Sequence, residues 1–355
     1  MPRVWEVPVH DSTRVRDARV AAEAAAARAG LDEGRAAGCA LVATELATNL
    51  LKHAGGGLIL LDVVSRPDPD RADGAAPMVQ IVAIDHGPGV RDIAGALRDG
   101  FSTTSSLGAG LGTCRRVADD FDLHSTVGRG TIALARLGAR KGRRAKPASP
   151  APAVRAGGVN VPFAGAEFSG DAWAWVRSGD LTTLMLADGL GHGVAAARAS
   201  SAAVQQLYRA PELPPAQLLR RLEGALRDTR GAAVAVAQLD LSAGRLLFAG
   251  IGNIGARLRA GAQWQPLLSR PGIVGAHRAA HLPQHEVAWG DDRLLVLHSD
   301  GLPSRWSPGP AAHSPSLDPA VIAAVIVRDA SSPARPVRDD TTVAVLSPSP
   351  PDRLP

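Results

Sequence analysis

The sequence predicts two α/β domains in tandem, and three observations carry that expectation. The chain has 355 residues, about twice what one hydrophobic core usually organises. Its middle, residues 138–158, reads GARKGRRAKPASPAPAVRAGG, with small residues, prolines and charge but no apolar period. Such a segment cannot bury enough surface to offset its ordering entropy. Helical patterns and β-rich apolar runs lie on either side, and the chain as a whole has 45% hydrophobic and 21% charged residues, ordinary for a globular protein. The expected division is a first domain over 1–137, a flexible basic Pro/Ala-rich linker over 138–158, a second domain over 159–347 and a disordered tail over 348–355.

The formal net charge of +5 is concentrated in the linker, where Arg140, Lys141, Arg143, Arg144 and Lys146 supply five positive charges and leave the remainder neutral. A nucleic-acid surface spreads its basic groups over a folded face and interleaves them with aromatics. Only 3% of this chain is aromatic, so nucleic acid is not an expected partner. No stretch approaches the roughly 18 apolar residues of a membrane span. The N-terminus, MPRVWEVPVHDSTRVRD, has no apolar export segment. Cys39 and Cys114 are the two cysteines, too few and too far apart for a disulfide framework or zinc pattern. A cytoplasmic location is the expectation.

The first domain opens with a strand near Val4–Val9. Residues 14–29 are alanine-rich and stop at Gly30, which predicts a helix with a glycine C-cap. A second helix is predicted over 31–54, ending at the triple glycine 55–57. LILLDVV and MVQIVAI then read as strands around the turn-rich loop RPDPDRADGAAP. A glycine-rich stretch, a helix from about Leu111, and the hairpin DLHSTV/TIALARL across 128–130 complete the half. Two early helices on a mostly antiparallel sheet are expected.

Three of these elements carry chemistry. In ELATNLLKHA, Glu45 and Asn49 are four residues apart, so a helix stands them on one face, about 6 Å apart along the axis. Lys52 follows three residues on and is the only lysine outside the linker. A carboxylate, an amide oxygen and an ammonium on one face can serve as base, metal ligand and phosphate contact; a solvated helix face is the plain alternative. Asp85-His86-Gly87-Pro88-Gly89 follows a strand directly. A carboxylate there can accept from an exocyclic amine, while glycines admit a ligand ring to the backbone. Gly108-Ala109-Gly110-Leu111-Gly112 leads into a helix and can present free N–H groups to phosphate. No Lys-Ser/Thr follows it, so it is not a Walker loop, and no βαβ unit surrounds it.

In this order and spacing the three elements resemble the GHKL (Bergerat-fold) ATPases, a match covering roughly residues 1–137. ELATN resembles the N-box, DHGPG the adenine box, GAGLG the phosphate box and GRGTI the closing strand. DHGPGVRD…DGFSTTSSLGAGLGTCRRVADDFDL looks most like the RsbT-type switch kinases, relatives of the RsbW anti-sigma factors. The resemblance implies an α/β sandwich that binds ATP and Mg²⁺. Glu45 would be general base, Asn49 a Mg²⁺ ligand and Asp85 the adenine contact. Lys52, Gly87, Gly89, Gly108, Gly110, Leu111, Gly112 and Thr131 would line the nucleotide, and 90–107 would form the lid.

The second half is marked by aspartates beside small residues at the ends of apolar runs: Asp171 in SGD, Asp188-Gly189 after LTTLMLA, Asp300 in SDG after RLLVLH, and Asp339-Asp340 before TTVAVL. Carboxylates from four strands can converge on one point, at a cost unless cations occupy it. Mg²⁺ or Mn²⁺ is the natural occupant, and two such ions could activate water for attack on phosphorus. AEFSGDAW, ADGLGHG, AGIGN, HSDGL and RDDTTVAVL look like the SpoIIE/RsbX-type branch of the metal-dependent protein phosphatase 2C family, over about residues 157–347. The resemblance implies a four-layer α/β/β/α sandwich holding two Mn²⁺ or Mg²⁺. Asp171, Asp188, Asp300 and Asp339 fall on its metal-ligand positions, Asp188 being the catalytic centre and Gly189 lending a carbonyl. Asp339 rather than Asp340 rests on motif alignment. His277, His281 and His285 would make a zinc face on a helix, but Pro283 argues for a loop or edge strand. His192 reads as a turn residue or as an acid for the leaving group. Trp173 and Trp175 read as half-buried strand residues.

Together the resemblances imply a bifunctional regulator of partner switching, a serine/threonine kinase joined to a phosphatase. Its targets would be STAS-domain anti-anti-sigma or stressosome-type proteins, with a sigma factor as a further partner. The alternative makes the ATP domain a binding or sensor module without phosphoryl transfer.

Overall fold

The computed structural model describes residues 3–67, 75–97, 110–139, 154–276, 282–303, 306–310, 314, 316–331 and 337–349. The chain divides into two compact units, one mainly Val4–Arg66 with Ala76–Ala145, the other mainly Lys146–Pro355. Among the described residues no helix is long and apolar enough to cross a membrane.

The first unit is one sheet covered by two helices. β1 (Val4–Val9), β2 (Gly57–Pro67), β3 (Ala75–Ile84), β4 (Asp120–Thr126) and β5 (Gly130–Gly138) lie in the order β1-β2-β3-β5-β4. The β1/β2, β3/β5 and β4/β5 pairs are antiparallel. Ile59, Leu61, Val79 and Ile81 alternate onto one face, as the two-residue period of a strand requires. That face packs on α1 (Ser12–Arg28) and α2 (Glu33–Asn49). Each helix starts at an aspartate cap: Asp11 accepts from the Thr13 and Arg14 amides, and Asp32 from the Arg35 amide. The buried face of α1 is all alanine, from Ala18 to Ala26, so the helices approach closely. Arg35 donates to the Gly138 carbonyl at 2.7 Å and pairs with Asp119, which also accepts from the Gly138 amide at 2.7 Å. This clamp ties the end of β5 to the start of α2.

The second unit has four layers. β7 (Asp171–Ser178), β8 (Leu181–Gly189), β9 (Ala232–Asp240), β10 (Arg245–Ile251) and β13 (His285–Ala288) form one sheet, ordered β13-β10-β9-β8-β7. β6 (Val154–Val161), β11 (Gly255–Ala260), β12 (Gln263–Leu267), β14 (Arg293–His298) and β15 (Thr341–Pro348) form the other, ordered β12-β11-β14-β15-β6. Leu184, Leu186, Phe248, Leu295, Leu297 and Leu346 fill the space between the sheets. α5 (Val194–Arg209) and α6 (Pro215–Ala225) cover the first sheet, and α7 (Pro319–Ala330) covers the second. The predicted α/β/β/α sandwich is thus the observed architecture.

Three boundaries differ from expectation. β5 continues to Gly138 and β6 begins at Val154, so both ends of the expected linker are strand; residues 140–153 lie outside the described part. The glycines that read as linker have a packing reason: a Cβ on Gly158 would meet the Trp173 ring at 3.0 Å. β15 runs through Pro348, which pairs with Val154, so residue 348, expected in the tail, belongs to the sheet; residues 350–355 lie outside the described part. The second helix begins at Glu33, and beyond Asn49 it widens into a π-helical turn, Leu50–Ala54, closed by Gly55 at φ 71°.

Candidate functional sites

In the first unit, Glu45 and Asn49 lie in the last turns of α2, whose Val42, Ala43, Leu46 and Ala47 are buried in the core. Both stand half-buried at the margin of that face. Burial pushes the Glu45 carboxyl above its ordinary value, and the Lys52 ammonium partly offsets this. Lys52 is exposed on the π-helical turn yet stays within electrostatic reach. Turns of this kind are frequent at functional sites. The Asn49 amide nitrogen is buried with no hydrogen-bond partner. The short α3 (Ile93–Ala96) follows the Asp85 segment, and α4 (Leu111–Val117) packs against α2. Its N-cap Gly110, with Leu111 and Gly112, is thereby near Glu45, whose charge also raises the buried Cys114 thiol, pushed up to about 12 chiefly by burial. Gly108 lies outside the described residues, as do residues 98–107 of the expected lid.

Asp85, only 8% exposed, ends this group. Its Oδ1 accepts from the Gly87 amide at 2.8 Å and the Thr131 amide at 3.1 Å. A Cβ on Gly130 would fall 2.0 Å from the Asp85 carbonyl oxygen, so only glycine lets the hairpin approach so closely. Gly89, at φ 74°, turns the chain beside Thr126. The Thr131 hydroxyl contacts Ser125 Oγ at 3.0 Å, and Ser125 Oγ accepts from the Val90 amide at 2.7 Å. Ser125 therefore links the carboxylate's strand partner to the first residue of the expected lid.

In the second unit, the four predicted carboxylates come from four strands and both sheets. Asp171 opens β7 and stands opposite Asp188 of β8; Asp300 follows β14, and Asp339 precedes β15. Asp171 is fully buried, and neither carboxylate oxygen has a hydrogen-bond partner. The Ser299 and Thr342 hydroxyls are near enough to favour its charge, but neither makes a hydrogen bond to it. Burial, then the Asp188 charge, raise the Asp171 pKa. Asp188 is pushed up to about 7 by burial and by Asp300, Asp339 and Asp340. Asp300 is raised by burial and Asp339. Its Oδ2 accepts from the Asn253 side-chain amide at 2.7 Å.

Asp339 and Asp340 are distinguished by their partners. Asp340 is 5% exposed and spends one oxygen on the Phe163 amide at 2.8 Å and the other on the Gly170 amide at 2.7 Å. Asp339 is exposed and accepts the Asp340 amide at 2.8 Å. Asp340 thus fastens the backbone around the cluster, leaving Asp339 as the outward carboxylate.

Among the described residues, no three His, Cys, Asp or Glu groups already close into a metal-binding set. The all-oxygen donor chemistry nevertheless fits hard cations, and the unpartnered buried oxygens of Asp171 are what such a cation would satisfy. In the first unit, the atom left unpartnered is the Asn49 amide nitrogen, an N–H donor that a cation would not satisfy.

Residues 9–136 match the family described as histidine kinase-like ATPase domain, and residues 178–348 match stage II sporulation protein E (SpoIIE). The chain joins a histidine kinase-like ATPase domain to a SpoIIE-type domain. The serine/threonine-protein kinase RsbT of Bacillus subtilis (strain 168) is 42% identical over 88 residues, 25% of this chain. The match spans 61% of that relative's own length. A solved structure, from a study of the bacterial stressosome as a modular system adapted to control secondary messenger signalling, is 25% identical at a TM-score of 0.50. It covers 54% of this chain and 98% of its own. A structure of the PP2C phosphatase domain and a regulatory-domain fragment of SpoIIE from Bacillus subtilis has 15% identity, a TM-score of 0.49 and 81% coverage of each chain.

Sequence reasoning singled out neither Ser125 in the ATPase domain nor, in the SpoIIE-type domain, the part played by Asn253. Asn253 sits in AGIGN, where its place before β11 was a visible signal. Ser125 acts through a cross-strand neighbour, Thr131, which no local motif displays. His285 lies on the edge strand β13, while His277 and His281 fall outside the described residues. Trp173 and Trp175 pack partly buried against the inter-sheet core, and His192 is an exposed residue between Gly191 and Gly193.

Proposed function

We propose that this chain is a bifunctional regulator of protein phosphorylation, in which the ATPase domain phosphorylates a serine or threonine of a partner and the SpoIIE-type domain removes phosphate from such a residue. The observation that carries the reading is the pair of carboxylates facing each other across β7 and β8, Asp171 and Asp188, with both oxygens of the buried Asp171 unpartnered and the charges of Asp300 and Asp339 close by. So many mutually repelling acids in one place are a cost without cations. Two Mn²⁺ or Mg²⁺, when bound, would lower the pKa of a water and supply hydroxide at neutral pH. Asp171, Asp188, Asp300, Asp339 and the Gly189 carbonyl would hold them, with Asn253 orienting Asp300 and Asp340 fixing the loop around them. The phosphoester is then split into free hydroxyl and phosphate.

In the ATPase domain, Asp85 and Thr131 would receive the adenine, and Asn49 would ligate the Mg²⁺ on the phosphates. Lys52 and residues Gly108 to Gly112 would contact the phosphates. Glu45, its pKa raised by burial, would accept the proton of the target hydroxyl as that oxygen takes the γ-phosphoryl group and ADP departs. By likeness to RsbT, the targets are STAS-domain or stressosome-type proteins of the cytoplasm, with a sigma factor as a further partner.

The test is incubation of the full chain with labelled ATP, Mg²⁺ and candidate STAS proteins, followed by Mn²⁺. Label on the target, then released with Mn²⁺, is the expected result. Nucleotide-dependent binding without label transfer would replace the kinase with a sequestering module, and a stable label in Mn²⁺ would remove the phosphatase.

A further inference from the structure

We propose that a cavity beside Asp300 is a substrate subsite, in which Arg257 receives an acidic side chain flanking the phosphorylated residue of the target protein. The proposal rests on the phosphatase reading and adds the chemistry of its substrate. The cavity measures about 300 Å³ and is bounded by Asn253, Gly255, Arg257, Leu268 and His298. It adjoins the carboxylate cluster, because Asn253 donates to Asp300 at 2.7 Å. Along β11, Ile254, Ala256 and Leu258 face the inter-sheet core, so Gly255 and Arg257 face the other way. His298 stands opposite Gly255 in the register, and a Cβ on Gly255 would lie 2.2 Å from its Nε2. Glycine at 255 and the imidazole thus form the floor together.

The polar groups of that floor are already engaged. His298 Nδ1 donates to the Ser299 carbonyl at 2.9 Å, and its Nε2 accepts from Trp306 Nε1 at 3.1 Å. Ser269 Oγ donates to the Ile254 carbonyl at 3.1 Å. Arg257 is different. Its guanidinium lies 4.7 Å from the centroid of the buried Trp306 ring, which fixes the side chain by cation–π contact. Among the described residues no carboxylate pairs with it. A guanidinium that is held in place, lacks an acid and lines a cavity next to the carboxylate cluster is a ready acceptor for a carboxylate. The exposed Leu268 at the cavity wall, 67% accessible, offers apolar cover to the same segment of target.

The experiment compares three phosphoserine peptides of equal length, with aspartates before the phosphoserine, aspartates after it, or neutral flanks. Full-length wild type, Arg257→Gln and Arg257→Lys are assayed with Mn²⁺, reading the ratio of kcat/KM for acidic over neutral peptide. Wild type should favour one acidic peptide about tenfold, as expected for one ordered ion pair. Arg257→Gln should bring the ratio to one, and Arg257→Lys, which keeps the charge but not the stacked fork, should keep only part of it. A purely structural role would lower all three peptides together and leave the ratio intact, which would overturn the proposal, as would a wild-type ratio of one. Anisotropy of the fluorescein-labelled peptides in excess chelator supplies a second readout. Binding of an acidic peptide that depends on Arg257, without hydrolysis in Mn²⁺, would uphold the subsite and remove the phosphatase reading. Binding indifferent to Arg257 would remove the subsite alone.

Discussion

In the ATPase domain, Glu45 and Asn49 come from one helix, and the nearby Asp85 already has two backbone donors on one oxygen. In the SpoIIE-type domain, carboxylates from four strands are held together with neither Asp171 oxygen partnered and Asp188 raised to about 7. The first arrangement is set by helix geometry and, at Asp85, by local hydrogen bonds, with the half-buried Glu45 carboxyl and the unpartnered Asn49 nitrogen as its costs. The second is assembled by the fold against electrostatic repulsion. The contrast teaches that the two sites should answer differently to the same change: removing a carboxylate costs function in both, but relieves more in the second, where Asp300, Asp339 and Asp340 add their repulsion to burial.

Asp188→Asn makes the largest test. Activity on a phosphate ester should fall about a thousandfold, since bound cations contribute several kcal/mol to such a reaction. The same substitution should stabilise the chelated protein. The folded pKa of Asp188, about 7, lies above its ordinary 3.8. Its ionisation therefore costs the fold progressively as pH rises from about 4 to about 7, on the order of 4 kcal/mol in all. Denaturant melts in chelator should show Asp188→Asn more stable than wild type at pH 8 and equal to it at pH 4. A variant less stable than wild type at pH 8 would break the contrast.

Glu45→Gln should lower phosphoryl transfer about 100-fold, the worth of a positioned base, while ATP affinity stays within a few-fold. Transfer at the wild-type rate would show that Glu45 is not the base. Smaller is the effect of Asn253→Ala, which frees Asp300: Mn²⁺ affinity should weaken about tenfold, as for other groups that orient a ligand, in a calorimetric titration. Ser125→Ala comes last. Losing one hydrogen bond of about 1 kcal/mol between Thr131 and Val90 should weaken ATP about fivefold, measured by nucleotide fluorescence, with no change in Mn²⁺ affinity of the other domain.

Much of this was legible in the chain, for identifiable reasons. β1, the β4/β5 hairpin and the alternation in β2 and β3 follow from apolar period and glycine turns. The four aspartates were visible because each sits at the end of an apolar run, three of them, Asp171, Asp188 and Asp300, beside small residues. The π-helical turn was not, since LLKHA looks as helical as the residues before it and the widening has no residue signature of its own. Gly158 reads as linker because glycine marks both loose chain and tight packing, and only the Val343 carbonyl and the Trp173 ring beside it decide between them. Asp339 and Asp340 could be separated only by seeing which one the Phe163 and Gly170 amides occupy.

The central claim is that the facing pair Asp171 and Asp188 of the SpoIIE-type domain holds protons near neutral pH until cations replace them. Calorimetric titration of Mn²⁺ at pH 6, in buffers of differing ionisation enthalpy, counts those protons directly. With Asp188 at about 7, about one proton or more per chain should be released at pH 6, falling towards zero at pH 8.5. Binding that releases no proton at pH 6 would mean that the carboxylates are already ionised, and would contradict the account.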